Sequence, residues 1–64
     1  MRVNGVSIPL GEEKTLLQYL QENQYDPSKI AVERNGKIVP KREYEATLLQ
    51  SEDQLEIVQF VGGG

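Results

Sequence analysis

Leu55-Glu56-Ile57-Val58-Gln59-Phe60-Val61 runs without a break into Gly62-Gly63-Gly64, where the chain ends. The first seven residues alternate as a β-strand does. Leu55 and Ile57 point to one face and Gln59 continues it, while Glu56, Val58 and Phe60 take the other. A strand with apolar residues on both faces is either buried on both sides or offers one of them to a partner. The glycines that follow have no side chain and adopt backbone angles closed to other residues. Extended, three residues reach about 10 Å, at roughly 3.3–3.6 Å each. They end in a carboxylate that is ionised near neutral pH. An unhindered carboxylate of this kind can attack the α-phosphate of ATP and become an acyl adenylate, whose carbonyl is then open to a nucleophile. From these residues alone the run is either a frayed end or a reactive terminus shaped for a narrow slot. Ordering the glycines costs roughly 1–2 kcal/mol each, so a reactive tail needs a docking surface on the body to supply affinity. Val58, Phe60, Val61 and Ile38 are the candidates for that surface.

Upstream, two turn signals organise the chain. Asn4-Gly5 and Asn35-Gly36 suit the type I′ turn, in which both central residues need positive φ. The first predicts a hairpin over residues 1–10 in which Val3 faces Val6 and Met1 faces Ile8, giving one apolar surface of four residues. The second predicts strands at Ile30–Arg34 and Lys37–Val39, stopped by Pro40, with Val32 opposite Val39 on the inner face and Ala31, Glu33 and Ile38 outside. Between the hairpins, Thr15 and Gln18 form a capping box and open a helix that runs to about Asn23. Its apolar stripe of Leu16, Leu17 and Leu20 marks a face that must pack on a sheet, because so short a helix is unstable alone. Asp26-Pro27-Ser28 is a connection, residues 41–50 are irregular or one-turn helical, and Ser51-Glu52-Asp53-Gln54 is a polar turn. The order β-β-α-β-β-β predicts an α+β fold of the β-grasp type. It has a mixed sheet of four to five strands, the first and last parallel in its middle, and one main helix on one face. Residues 1–61 form the domain and residues 62–64 a flexible tail.

Composition narrows the function. The chain has 64 residues with no cysteine and no histidine, which leaves no disulfide and disfavours a zinc site. Ten acidic and seven basic residues give a net charge of −3, the wrong sign for a nucleic-acid binder. No apolar run approaches the roughly 20 residues of a membrane span, and Met1-Arg2-Val3-Asn4-Gly5 is unlike a signal peptide, so a soluble, cytoplasmic protein is expected. Arg34, Lys37, Lys41 and Arg42 cluster as either a solvated hairpin flank or a docking patch for an acidic partner. Glu52 and Asp53 are adjacent acids without a partner nearby in sequence. Tyr19, Tyr25 and Tyr44 fit packing at the core edge better than acid catalysis. There is no nucleophile–base pair, no phosphate-binding glycine loop and no metal-ligand spacing, so an enzyme is not expected.

Glu33-Arg34-Asn35-Gly36, Ile38-Val39-Pro40, Tyr44 and the run from Glu56 to Gly64 resemble the ThiS sulfur carriers of thiamine biosynthesis, a branch of the ubiquitin-like β-grasp group. The resemblance spans essentially the whole chain. It implies that Gly64 is adenylated by an E1-like adenylyltransferase of the ThiF type, which uses ATP and magnesium; the chain itself binds no cofactor. A persulfide sulfur from a desulfurase or similar donor would convert the adenylate to a thiocarboxylate. That species would dock on a ThiG-type thiazole synthase and give up its sulfur. Gly62 and Gly63 would provide reach, and Val58 and Phe60 would belong to the docking face. The small subunit of molybdopterin synthase shares the fold and the terminal chemistry, and a ubiquitin-like modifier shares the chemistry as far as the adenylate. A binding module with an idle tail is the remaining alternative.

Overall fold

The computed structural model describes residues 1–60. Five strands form one sheet: β1 (Arg2–Val3), β2 (Val6–Ser7), β3 (Ile30–Arg34), β4 (Lys37–Ile38) and β5 (Gln54–Gln59). Their order across the sheet is β2-β1-β5-β3-β4, with β1 and β5 parallel and the other neighbours antiparallel. This is the strand arrangement expected from the order of elements. Both turns form as the side chains require, with φ of 51° and 83° at Asn4 and Gly5 and 54° and 85° at Asn35 and Gly36.

The one α-helix among the described residues, α1 (Leu16–Glu22), opens on the expected capping box: the Thr15 hydroxyl accepts from the Gln18 amide, and the Gln18 side chain accepts from the Thr15 amide. Thr15 also pairs with Leu48 in an isolated antiparallel bridge, which ties the helix start to the segment before β5. The helix ends in a Schellman arrangement. The Tyr25 amide donates to the Leu20 carbonyl and the Gln24 amide to that of Gln21. Asn23 is the cap residue, but Gln24 is the one that takes the left-handed conformation, at φ 63°.

Leu16 and Leu20 of α1 are fully buried and face Val3, Ile30, Val32, Leu55 and Ile57 of the sheet. Burying such side chains contributes about 1.5–3 kcal/mol each. Tyr19, Tyr44 and Leu49 complete the core, and Leu17, Tyr25 and Val39 pack at its margin. Val32 is buried, and its carbonyl accepts from the Val39 amide, so the expected pairing of these two residues is present. Ile38 lies on the outside as expected. The first hairpin departs from expectation at one residue. Val3 is buried and Met1 and Ile8 pack against the core, but Val6 remains 60% exposed. Its strand β2 is the sheet edge, one strand beyond β1, and the apolar face is covered on β1 but not at Val6.

Candidate functional site

Strand β5 is the second neighbour of both sheet edges and connects the core to the chain terminus. Leu55 and Ile57 face α1 and are buried, while Glu56 and Val58 face away from it. Across β5 and β3 the register sets Val58 beside Ala31 and Glu56 beside Glu33, and Glu33 in turn opposes Ile38 on β4. The sheet face turned away from the helix therefore carries an apolar group of Val58, Phe60 and Ile38 at 55%, 57% and 69% exposure. The structure sets these three residues of the expected docking surface on one face of the sheet, with Ile38 two strands from Val58. Val61 of that surface, and Gly62, Gly63 and Gly64, lie outside the described residues.

Glu33 and Glu56 are like charges placed directly opposite each other, an arrangement that disfavours folding. Neither takes part in the ion pairs found among the described residues, Lys14–Glu22 and Arg34–Asp53. A polar recess lined by Arg2, Glu33, Asn35, Gly36, Gln54 and Glu56 occupies the same face. It lies at the start of β5, the far end of the strand from Phe60. Among the described residues no cluster of acidic side chains could hold a metal ion.

Three side chains brace β5 and the segments beside it, and sequence reasoning had assigned none of them this task. Asn4, legible only as a turn residue, accepts from the Ile57 amide at 2.8 Å and donates to the Ile57 carbonyl at 3.2 Å. It thus supplies the ladder contacts that β1 is too short to make. Asp53, legible only as part of a polar turn, is buried immediately before β5. It accepts from Arg34 Nε at 2.9 Å, Asn35 Nδ2 at 3.0 Å and the Gln50 amide at 2.8 Å. Burial works against ionising this carboxyl, but the hydrogen bonds from Asn35, Gln50 and Arg34 and the guanidinium charge outweigh it. The pKa is held below the usual aspartate range. Arg34 is therefore a structural partner of Asp53, with its side chain still 31% exposed. The third side chain is Lys41, whose ammonium donates to the Pro27 and Ile30 carbonyls at 2.8 Å each and stands 5.7 Å from the centre of the Phe60 ring. A signal for the Asp53 contacts was present in the sequence, since Arg-Asn in the second turn and an acid at the start of the last strand are complementary. Their separation of about 18 residues hides the pairing until the strands are registered.

The tyrosines behave as packing residues. Burial raises Tyr19 above the ordinary phenol range; Tyr25 adds to the shift and Lys14 opposes it. Burial likewise raises Tyr44, against a hydrogen bond with the Val32 backbone. Neither is poised to exchange a proton near neutral pH.

One helix against a mixed sheet, with first and last strands as parallel neighbours and the last one leading to the terminus, defines a ubiquitin-like β-grasp protein. The ThiS family model matches residues 1–64, and the chain belongs to the ThiS family. It is 34% identical over 65 residues to the Bacillus subtilis sulfur carrier protein ThiS, covering 100% of this chain and 98% of that protein. It is 42% identical over 62 residues to a thiazole synthase of Paramagnetospirillum magneticum, covering 97% of this chain but 19% of that protein. The chain spans only 12–19% of the length of the two thiazole synthases it matches. Among solved structures, the thiamine biosynthesis protein ThiS of Geobacter metallireducens superposes with a TM-score of 0.80 at 27% identity, covering 98% of this chain and 96% of that one. No helix among the described residues is long and apolar enough to cross a membrane.

Proposed function

We propose that this chain is a sulfur carrier for the thiazole moiety of thiamine, and that Gly64 is the atom-bearing residue. The observation that carries this reading is the exposed Val58–Phe60 stretch at the end of β5, which continues in sequence into Gly62-Gly63-Gly64. Membership of the ThiS family supports it, as does the presence of a matching segment inside proteins called thiazole synthase.

The chemistry follows from the terminus. A carboxylate oxygen of Gly64 would attack the α-phosphorus of ATP on an E1-like adenylyltransferase and displace pyrophosphate; that partner would supply the ATP site and magnesium. The sulfur of a persulfide, supplied by a desulfurase or similar donor, then displaces AMP from the acyl carbon. A thiol cleaves the resulting acyl disulfide, leaving the thiocarboxylate on Gly64. The carrier docks on thiazole synthase through Val58, Phe60, Val61 and Ile38, and its sulfur passes to the forming ring. With no cysteine and no histidine, the chain offers no thiol or imidazole of its own to take up the sulfur. It is a co-substrate of these cytoplasmic enzymes rather than a catalyst.

Affinity capture from the native host tests the partner. Thiazole synthase is expected to co-purify with the tagged chain, provided the tag sits at the N-terminus. Capture of a molybdopterin synthase large subunit without thiazole synthase would assign the chain to the rival pathway. Covalent ladders on a denaturing gel would instead indicate a protein modifier.

A further inference from the structure

The basic residue Lys41 stands at a break in the sheet. On β3 the Val32 carbonyl accepts from the Val39 amide. Two residues along, the same antiparallel ladder would bring the backbone N–H of residue 41 to the Ile30 carbonyl. Pro40 instead turns the chain into the 3₁₀ turn Lys41–Glu43. The Lys41 side chain fills the vacated position, donating to Ile30 O at 2.8 Å, and it reaches Pro27 O at the same distance. An ammonium has three donors and no acceptor. Two are spent on these carbonyls, and the Phe60 ring lies 5.7 Å away, within range of a cation–π contact. The Phe60 backbone is held separately, its amide donating to Lys29 O at 2.9 Å.

We propose that Lys41 is a positioning residue for sulfur loading: it holds the Phe60 ring in place on the outer face and so fixes the docking surface next to the reactive terminus. The proposal rests on the carrier reading above. Lys41 is not proposed to touch the reacting group. Its effect passes through Phe60, the last described residue before the tail. A lysine that only capped the sheet would change stability and leave recognition by the activating enzyme untouched.

The test is adenylation of the full-length chain by its cognate adenylyltransferase with ATP, followed as pyrophosphate release. Lys41→Met is expected to raise KM for the carrier about five-fold, the size that an exposed cation–π contact and a charge-assisted hydrogen bond allow, with kcat within about two-fold of wild type. Lys41→Arg, which keeps the charge and the ring contact, is expected to restore most of the loss. In a Phe60→Leu background, Lys41→Met should have no further effect on KM, because the ring through which it acts is gone. Hydrogen exchange of the Phe60 amide in the isolated chain provides a readout independent of the enzyme, and Lys41→Met should accelerate it several-fold relative to the Ile57 amide. An unchanged KM in Lys41→Met, or equal effects with and without Phe60, would overturn the proposal while leaving the carrier reading intact. If wild-type protein is not adenylated at all, the carrier reading fails; unchanged Phe60 exchange would then overturn the Lys41 contact separately, and with it the proposal.

Discussion

Deleting Gly63 and Gly64 is expected to abolish thiocarboxylate formation while leaving the fold unchanged. The truncated chain still ends in a glycine carboxylate, at Gly62, so the chemistry of the group is preserved and only its reach is lost. Two extended residues span about 7 Å. A misplacement of about 1 Å can already cost roughly a hundredfold in an enzyme site, so a loss of more than about a thousandfold is expected here. Stability should not follow, because the core closes at Ile57 and no buried side chain lies beyond it among the described residues. The measurement pairs a thermal melt with an adenylation assay. A truncated chain that melts normally but is not loaded fits the carrier reading. Intact sulfur transfer after truncation would contradict it and would favour a binding module with an idle tail.

The second large effect concerns the scaffold. Asp53→Ala is expected to lower stability by about 2–4 kcal/mol, because it leaves Arg34 and Asn35 without their acceptor and the Gln50 amide unpaired. The estimate sits somewhat below that for a fully buried pair, because the Arg34 side chain keeps 31% of its exposure against 6% for Asp53. A domain of this size has only roughly 3–10 kcal/mol in total, at about 0.05–0.15 kcal/mol per residue, so the variant should be near its folding limit at physiological temperature. Urea denaturation measures the loss, and Asp53→Asn should fall between alanine and wild type. The same carboxyl sets an acid dependence. Its pKa is lower folded than unfolded, so the unfolded state binds the proton more readily. The stabilisation is therefore complete above the ordinary aspartate pKa and is lost as pH falls through the lower folded value. Asp26 adds to this dependence in the same direction: hydrogen bonds from the Ser28 hydroxyl and amide lower its pKa. Asp53→Asn should flatten the acid limb of a stability profile, and an unaltered profile would show that Asp53 is not the controlling group.

Much of this architecture was legible before any coordinates, and the reasons are local. Asn-Gly demands positive φ at two successive positions, so Asn4-Gly5 and Asn35-Gly36 located both hairpins and their registers. The Thr15–Gln18 box depends on residues three apart and needs no tertiary information. Alternation within Leu55–Phe60 separated the buried face from the exposed one. What escaped was long-range or depended on where an element ends. The exposure of Val6 follows from the rank of β2 in the sheet rather than from its own pattern. The partners of Asp53 become neighbours only when β3 and β5 pair. Asn4 carries two roles, and its turn propensity masks its hydrogen bonds to Ile57. Lys41 looked like one of four surface cations because nothing in a linear reading reveals that Pro40 leaves the Ile30 carbonyl vacant. The candidate site divides in the same way. Its apolar residues were found from periodicity, whereas the side chains that brace them were found only from the structure.

Intact-mass spectrometry of the chain, purified from its native host in the absence of thiazole precursors, addresses the central claim directly. The account predicts a species heavier than the sequence mass by about 16 mass units, one oxygen replaced by sulfur, with the gain confined by fragmentation to the C-terminal glycine. Protein found only at its sequence mass under these conditions, with the desulfurase and adenylyltransferase present and active, would contradict it.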